Sequence, residues 1–371
     1  MGEPTEIRAL EFYSGIGGLH FALARSNVQV TVVGAFDWDQ IACQVYAANH
    51  GHNIAHKVDI SVLDAREIAK HRANLWLLSP ACQPYTVLNP LAKGAADPRA
   101  KSFLHLVEDV LPELVSLGAQ PKFLLVENVA GFETSTTRQV LLRQLRGLGY
   151  HTLELLLTPL QFGIPNSRLR YYLLAKITPF VIQNRREPDH VWRHIPGRGE
   201  DWIDPRDDTP GSAQNSVEPL QEYLDKGGWV SGCHPHAVPD RVLQKWGRLF
   251  DIVLPSTRRT CCFTRGYTQL VERAGSILQE NTELDTTATF DTFLKAKGRD
   301  DPDALNILHP LKLRYFTPSE LLRLFAFVRP GTEDQFVWPP GVSTKVKYRL
   351  LGNSVNVRVV SKLVDFLFES G

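Results

Sequence analysis

Short apolar runs alternate with amphipathic stretches along the first half of this chain. Several runs are apolar almost throughout, as is typical of strands that are covered on both faces. Strands are predicted at Ile7–Tyr13, Val28–Phe36, Leu75–Leu78, Lys122–Val126, His151–Leu157 and Leu169–Ala175, with a weaker one at Ala55–Asp59. Helices are predicted between them at Gly18–Ser26, Gln40–Asn49, Lys101–Leu117 and Thr137–Leu148. This alternation predicts an α/β fold built on a doubly wound, mostly parallel sheet.

The pattern changes after Lys176. Residues 184–216 are dense in Arg, Asp, Pro and Gly and have no sustained period, which is typical of a linker or a flexible insertion. From Leu311 the chain returns to mixed helical and strand patterns. We therefore expect a main domain at 1–178 that is completed by 311–371, and a smaller domain with flexible insertions at 179–310.

The charge balance excludes a globally basic nucleic-acid coat. The 371 residues include 41 Lys and Arg against 40 Asp and Glu, and 43% are hydrophobic, which also excludes wholesale disorder. Between Arg241 and Arg273, however, basic residues outnumber acidic ones. This segment is either an ordinary solvated face or a surface that contacts phosphates.

Cysteine usage and the start of the chain indicate a soluble intracellular protein. Five cysteines are an odd and sparse set, which fits a reducing compartment better than a disulfide framework. The segment Met1–Glu6 has no apolar core typical of a signal peptide, and no apolar run approaches the roughly 18 residues of a membrane span. Histidines and cysteines follow no recognised zinc spacing, so no metal site is predicted.

A glycine-rich turn follows the first predicted strand. Ser14-Gly15-Ile16-Gly17-Gly18 opens a helix, and glycine there lets the backbone approach a ligand closely. The dinucleotide fingerprint would have glycine where this chain has His20, and no phosphate-loop Lys-Ser/Thr follows. A small nucleoside ligand without a pyrophosphate fits this turn better than NAD or ATP does, although a turn without a ligand is the alternative.

The next two strands end in further candidate ligand contacts. Asp37 lies about 20 residues after the glycines, where a carboxylate accepts ribose hydroxyls. Trp38 either covers an adenine face or packs as a surface aromatic. Asp59 either binds an adenine amino group or caps a turn.

A cysteine and a glutamate end the following two strands. Cys82 lies on the loop Ser79–Pro84, between Pro80 and Pro84. Its thiol is therefore expected to be exposed and rigid, as a nucleophile must be. Glu127 ends the neighbouring strand, where partial burial lets a carboxyl act as a general acid. Thiol, acid and nucleoside site together indicate addition to a heterocycle followed by group transfer. An inert buried cysteine is the alternative.

The order of these motifs resembles the cytosine-5 methyltransferase family over about 1–176 and 311–370. The matching motifs are Phe12-x-x-Gly15-x-Gly17-Gly18, Pro80-x-Cys82-Gln83-Pro84, Glu127-Asn128-Val129, Gln161 with Arg168-x-Arg170, and Gly352-Asn353-Ser354. The segment Gly163–Tyr171 and the motif Cys262-Phe263-Thr264 are similar to the branch named for DNA methyltransferase homologue 2, the tRNA-Asp cytosine-5 methyltransferases. The resemblance implies S-adenosylmethionine as cofactor, tRNA as partner with cytosine 38 of the anticodon loop as target, and 179–310 as a target-recognition domain.

The resemblance also implies roles for individual residues. Cys82 adds to C6 of cytosine, Glu127 binds or protonates N3, and Arg168 and Arg170 contact the base carbonyl and steady the loop. The expected cofactor contacts are Phe12, Ser14, Gly15, Ile16, Gly17, Gly18, Asp37, Trp38, Asp59, Ile60, Pro80, Asn353 and Ser354. The expected substrate contacts are Gln83, Asn128, Cys262, Phe263, Thr264, Arg258, Arg259, Arg265, Lys345 and Lys347.

One position departs from the family pattern. Ala81 precedes Cys82 where the family usually has proline, so a looser loop is expected with its nucleophile intact. The alternatives are a DNA cytosine-5 methyltransferase, with DNA as a weak substrate, and a weakly active RNA-binding protein of the same fold. A monomer in the cytoplasm and nucleus is expected.

Overall fold

The computed structural model describes residues 6–85, 94–182, 187, 189–202, 217–229, 233–270 and 274–369. The strands are β1 Ile7–Phe12, β2 Val30–Asp37, β3 Ala55–Lys57, β4 Leu75–Leu78, β5 Phe123–Val129, β6 His151–Leu157, β7 Arg170–Lys176, β8 Val191–Trp192, β9 Ile252–Val253, β10 Ile277–Gln279 and β11 Leu313–Tyr315. The helices are α1 Gly18–Ala24, α2 Gln40–His50, α3 Ala65–Lys70, α4 Lys101–His105, α5 Leu111–Ser116, α6 Thr136–Gly147, α7 Asp240–Trp246, α8 Thr286–Lys297, α9 Pro318–Leu324, α10 Thr344–Gly352 and α11 Val357–Phe368. All seven predicted strands are therefore present, two of them (β4 and β6) with the predicted ends and five with shifted ends.

Within the described residues, eight strands form the large sheet in the order β3-β2-β1-β4-β5-β7-β6-β8. After β3 the chain crosses to the other side of β1 and adds β4 there, parallel to β1. The boundary between β1 and β4 is therefore the switch point where ligands bind in open α/β sheets. The pairs are parallel except for those of β7, which runs antiparallel to both β5 and β6. The predicted doubly wound, mostly parallel fold is confirmed.

The direction of β7 follows from its connection. Parallel neighbours need a long crossover, usually a helix, whereas β6 and β7 are joined by a 3₁₀ turn at Pro159–Phe162 and a short loop. The chain therefore returns beside β6 in the opposite direction. This places Arg170, the first residue of β7, opposite Val129 at the end of β5.

The predicted helix at Lys101–Leu117 is interrupted. Between α4 and α5, residues Leu106–Val110 form a π-helical turn. Pro112 lies just beyond, and proline removes one backbone donor and clashes with the carbonyl four residues earlier, which explains the widened turn. Helix α3 was not predicted, although Asp64 caps it by accepting from the backbone N–H groups of Arg66 and Glu67.

Alternate residues of the strands belong to two separate cores. Leu75 and Leu77 of β4 pack in one cluster with α1, α2 and α11, whereas Trp76 and Leu78 pack in the other with α3 to α6. Both faces of the sheet are thus covered, which is why these strands are apolar at nearly every position.

The chain's tail packs against its beginning. Asp365 of α11 accepts a 2.6 Å hydrogen bond from the backbone of Asn27, and Arg25 donates to the carbonyls of Ala326 and Phe327. This brings the segment between α10 and α11 beside the glycine-rich turn.

A small second sheet has the order β11-β10-β9. Elements cross the predicted domain borders, since β8 joins the large sheet and β11 joins the small one, and the division at 178 and 310 stays a prediction. Of the predicted insertion at 184–216, residues 184–186, 188 and 203–216 lie outside the described residues. No described helix combines the length and the apolar character that crossing a bilayer requires.

Candidate active site

A cavity of about 830 Å³ opens at the carboxyl ends of the central strands. The chain contributes to it from the ends of β1, β2, β4 and β5, from the start of β7 and from the segment that joins α10 to α11. The predicted residues that line it are Ser14, Gly15, Ile16, Gly18, Asp37, Trp38, Asp59, Ile60, Pro80, Cys82, Gln83, Glu127, Arg168, Arg170, Arg265, Asn353 and Ser354. The predicted residues outside its lining are Phe12, Gly17, Asn128, Cys262, Phe263, Thr264, Arg258, Arg259, Lys345 and Lys347.

The glycine-rich turn forms one wall. Gly15 and Gly17 have φ of 54° and 85°, a left-handed conformation that glycine adopts without steric cost. At Gly18 a Cβ atom would lie 2.8 Å from Cγ2 of Val355, so this glycine permits the tail segment to approach. A Cβ on Gly15 would meet nothing within 4 Å, so the space over that residue is open to a ligand.

Asp37 joins the turn to the end of β2. Its Oδ2 accepts from the backbone N–H of Gly15 and its Oδ1 from that of Asp39, both at 2.8 Å. Burial raises the pKa of this carboxyl, and the two backbone hydrogen bonds act against that shift. Asp39, not Asp37, caps α2, because its side chain accepts from Ile41 and Ala42. Asp37 is therefore not a helix cap.

Trp38 and Asp59 lie farther out along the same wall. Trp38 is 74% exposed, so its ring is largely free of packing against other described side chains. Asp59 does cap a turn, because its Oδ1 accepts from the backbone and the hydroxyl of Ser61. These bonds lower its pKa, and its carboxylate still borders the cavity.

The loop that carries Cys82 is held on both sides of the cysteine. Asn128 donates from Nδ2 to the Pro80 carbonyl at 3.2 Å, and Tyr85 donates its backbone N–H to the Cys82 carbonyl at 3.0 Å. Asn128 therefore supports the loop from behind, outside the cavity. Burial raises the pKa of Cys82, and the guanidinium groups of Arg170 and Arg168 act in the opposite direction.

Glu127 is a buried carboxyl with two polar neighbours. Its Oε2 accepts a 2.8 Å hydrogen bond from the hydroxyl of Ser79, and its Oε1 lies 3.6 Å from Nε of Arg170. Ser79 directly follows β4 and Arg170 begins β7, so the strand order brings both to the end of β5. Ser79 was not predicted as a site residue, because a serine before a loop has no distinguishing signal.

Arg168 borders the cavity and also bonds to other segments of the chain. The residue is 3% exposed, and its guanidinium donates to the carbonyls of Phe263, Gly352 and Ser354 at 2.6–3.3 Å. It borders the cavity, but these bonds commit it to joining three chain segments. This geometry is compatible with a residue that steadies the site, and the contact of Arg168 and Arg170 with the base carbonyl stays a prediction.

Four other predicted contacts have partners within the protein. The Phe12 ring is fully buried and lies 4.8 Å from that of Trp76, and the Phe263 ring packs against Tyr267 and Phe316. These two side chains are therefore unavailable to a ligand. Arg258 donates to the Val217 carbonyl, and Arg259 pairs with Asp251 at 3.2 Å.

Three basic residues remain among the predicted substrate contacts. Arg265 is exposed and borders the cavity, and Lys345 is exposed on α10, four residues before the cavity residue Arg349. Lys347 is half-buried, with its ammonium 5.5 Å from the Trp338 ring centroid. Neither Arg265 nor Lys345 has an ion-pair partner in the part of the chain that the structure describes.

The structure adds cavity residues that no motif indicated. Tyr13 has φ of 60° and donates from its hydroxyl to Ser102 at 2.9 Å. Arg349 of α10 pairs with Asp39. Arg99 forms a bidentate pair with Asp97 at 2.7 and 2.9 Å. The Tyr13–Ser102 and Arg349–Asp39 links join segments that are far apart in sequence, which local patterns do not reveal, whereas the Arg99–Asp97 pair is local.

The sheet and the site together define a class I S-adenosylmethionine-dependent methyltransferase fold. The seventh strand of the sheet is antiparallel, and a glycine turn and an acidic strand end lie at the switch point. The family model for C-5 cytosine-specific DNA methylase matches residues 7–369. The chain belongs to this family, and the resemblance seen in the sequence is confirmed.

Individual relatives show which members of the family this chain is similar to. The chain is 38% identical over 98% of its length to a Schizosaccharomyces pombe protein named tRNA (cytosine(38)-C(5))-methyltransferase, of which the match covers 97%. It is 33% identical over 98% of its length to a Dictyostelium discoideum protein named DNA (cytosine-5)-methyltransferase, of which the match covers 94%. The crystal structure of S. pombe Dnmt2 methyltransferase superposes with a TM-score of 0.76 at 36% identity, covering 98% of each chain. The resemblance to the branch named for DNA methyltransferase homologue 2 is therefore also confirmed.

Proposed function

We propose that this protein methylates C5 of cytosine in tRNA, with cytosine 38 of the anticodon loop as the target and S-adenosylmethionine as the methyl donor. The observation that carries the proposal is one cavity that holds a cysteine thiol, a buried carboxyl and a glycine turn. Cys82 is the proposed nucleophile and Glu127 the group that meets N3 of the base.

The residues around the glycine turn fit the cofactor. The open space over Gly15 admits a ligand close to the backbone, and Asp37 and Asp59 provide carboxylates at the ends of two adjacent strands. Carboxylates at these places suit ribose hydroxyls and an adenine amino group. When bound, S-adenosylmethionine supplies an electrophilic methyl group.

The chain's own residues prepare the base. Addition of the Cys82 thiolate to C6 forms a sulfur–carbon bond and makes C5 electron-rich. A proton held between Glu127 and N3 offsets the negative charge that develops on the ring. Ser79 and Arg170 fix the carboxyl of Glu127 from two sides, so its position does not depend on the substrate.

Ala81 does not free the catalytic loop. The carbonyls on either side of it, those of Pro80 and Cys82, are both hydrogen-bonded to described residues. Tyr85 also packs its ring 4.7 Å from that of Phe132. These contacts support an active enzyme over a protein that only binds RNA.

The preference for tRNA rests on the names of the relatives and on the rim of the cavity. The S. pombe relative is named for tRNA, whereas the Dictyostelium relative is named for DNA, which makes DNA the second candidate substrate. Arg265 and Lys345 present exposed charges near a cavity into which a base would have to be flipped. Bases of an RNA loop are already unstacked or easily splayed, so a loop requires less work to enter the cavity.

The test uses the full chain and labelled S-adenosylmethionine with bulk tRNA or duplex DNA. We expect label in tRNA at a rate well above that in DNA, and the reverse order would make the protein a DNA methyltransferase. With tRNA that contains 5-fluorocytosine, a covalent complex that survives denaturation is expected. Its absence, with tRNA binding intact, would leave an RNA-binding protein without this chemistry. We further propose a monomer that acts in the cytoplasm and nucleus, which sizing and imaging would test.

A further inference from the structure

The thiol of Cys262 lies between Arg168, which is buried, and Arg170, whose side chain is 15% exposed at the edge of the cavity. Its Sγ is 3.4 Å from Nη1 of Arg168 and 3.5 Å from Nη2 of Arg170, and both guanidinium groups point donors at the sulfur. Cys262 does not line the cavity, so this sulfur faces the arginines and not the space for the base. The neighbouring residue Phe263 is in the core and holds the segment in place.

The charges of this cluster do not balance if the thiol is neutral. Arg168 donates to carbonyl oxygens, which carry no net charge. Arg170 has one carboxylate neighbour, Glu127, at 3.6 Å. One buried and one largely buried cation therefore share a single acidic partner among the described residues, and an uncompensated charge away from water is costly.

We propose that Cys262 is a thiolate and serves as a positioning residue, the counter-anion that holds Arg168 and Arg170 in place behind the catalytic loop. The role in catalysis rests on the proposed function, whereas the ionisation state does not. The titratable groups that face the cluster are Glu127, Cys82 and Tyr172.

The local electrostatics support this assignment. Burial by itself raises the pKa of Cys262, but the charges and hydrogen bonds of Arg170 and Arg168 outweigh it and leave the pKa below its usual value. The same guanidinium groups act on Cys82, whose pKa is nevertheless raised. The arginines thus favour the thiolate of the supporting cysteine more strongly than that of the nucleophile.

Cys261 is a matched control that the chain itself provides. It is the adjacent residue and is also partly buried, but it lies beside the carboxylate of Asp251. Burial, followed by that carboxylate, raises the pKa of Cys261 to about 11. Two neighbouring cysteines should therefore differ in charge at neutral pH.

The first experiment measures ionisation without any substrate. The far-ultraviolet absorbance of a thiolate is compared between Cys82→Ala protein and the double variants Cys82→Ala/Cys262→Ser and Cys82→Ala/Cys261→Ser. At about pH 7.5, below the ordinary cysteine pKa near 8.5, the Cys262 substitution should remove one thiolate equivalent and the Cys261 substitution none. Equal absorbance of all three proteins would overturn the proposal. If the Cys262 variant does not fold, titration of Cys82→Ala protein alone decides, because the absence of any thiolate step with its midpoint below the ordinary value overturns the proposal equally.

The second experiment separates positioning from binding. Cys262→Ser should lower kcat by about tenfold to a hundredfold, the cost of a lost hydrogen bond to a charged group, with little change in the KM for S-adenosylmethionine. Cys262→Asp, which restores an anion, should recover part of the rate, and Cys261→Ser should retain it. Equal rates for Cys262→Ser and wild-type protein would exclude the positioning role. If wild-type protein transfers no methyl group at all, the proposed function is refuted, and the absorbance result on the ionisation of Cys262 still stands.

Discussion

Gly352 lies so close to Thr264 that a Cβ atom on the glycine would come within 2.2 Å of the Thr264 carbonyl carbon. The glycine ends α10, and the threonine ends the motif Cys262-Phe263-Thr264. The motif that closes the cavity and the motif typical of this branch are therefore in direct backbone contact. Arg168 donates to the carbonyls of both Gly352 and Phe263, which ties the two segments together.

Gly352→Ala should separate these segments. A clash with backbone atoms cannot be relieved by a rotamer change, so we expect a loss of about 1–3 kcal/mol in the free energy of unfolding and a larger loss of methyl transfer. Gly147→Ala is the control, because a Cβ there would meet nothing within 4 Å. That helical substitution should stabilise the protein by up to about 1 kcal/mol. Denaturant unfolding measures both, and equal effects would contradict the close approach.

Cys82→Ala tests the nucleophile. Without the thiol no bond to C6 forms, so methyl transfer should fall by about a thousandfold, which corresponds to roughly 4 kcal/mol of activation free energy. Folding and S-adenosylmethionine binding should be nearly unchanged, as measured by thermal melting and calorimetry. A variant that retains more than about a tenth of the wild-type rate would show that another group attacks the base.

Asp37→Ala tests the cofactor wall. The substitution removes the acceptor for Gly15 and Asp39 as well as the proposed partner of the ribose, so S-adenosylmethionine affinity should fall by about tenfold or more. Asp64→Ala is the matched control, because Asp64 also accepts two backbone N–H groups but lies outside the cavity lining. Calorimetry that finds the same affinity for both variants would remove Asp37 from the cofactor site.

Charge reversal at the cavity rim tests the RNA surface. Arg265→Glu and Lys345→Glu should weaken tRNA binding and reduce the slope of log affinity against log salt by about one unit for each lost phosphate contact. Lys70→Glu on α3 removes an exposed charge outside the cavity lining and should leave the slope unchanged. Filter binding at several salt concentrations measures this, and identical slopes for all variants would make the rim an ordinary solvated face.

A buried carboxyl beneath the glycine turn predicts a pH-dependent stability. Glu11 of β1 is fully buried and accepts a 2.8 Å hydrogen bond from the hydroxyl of Tyr46, which also lies 2.8 Å from Nδ1 of His20. Burial raises the pKa of Glu11 from 4.5 to about 8, despite these hydrogen bonds. The folded protein therefore keeps this carboxyl protonated at neutral pH, where the unfolded chain ionises it.

Glu11→Gln should remove that dependence. A raised folded-state pKa gives stability that is fully present below about 4.5 and is lost as the pH rises toward about 8. In this window the stability of wild-type protein relative to the Gln variant should fall by about 1.4 kcal/mol per pH unit. Urea unfolding at several pH values checks the difference. A difference that does not vary with pH would show that Glu11 is already ionised in the folded protein.

The sequence by itself determined the sheet and the chemistry of its edge. Apolar runs and turn residues are local signals, so β1 to β7 were all predicted, β4 and β6 with their observed ends and the others with shifted ends. Because the carboxyl ends of parallel strands share one edge, Asp37, Cys82 and Glu127 could be placed in one site before any contact was known. The direction of β7 was within reach too, since no helix separates it from β6.

The tertiary structure decided which side chains face the ligand and what each one contacts. Local pattern marks Phe12 and Phe263 as motif residues, but only packing shows that their rings are in the core. Arg170 and Cys262 are 92 residues apart, and Arg168 and Ser354 are 186 apart, so neither contact has a periodic signature. Such pairs form because separate elements pack against each other, and burial then sets their charge states. The strands of the large sheet thus follow from local sequence signals, whereas the charge states of the site residues follow from the tertiary fold.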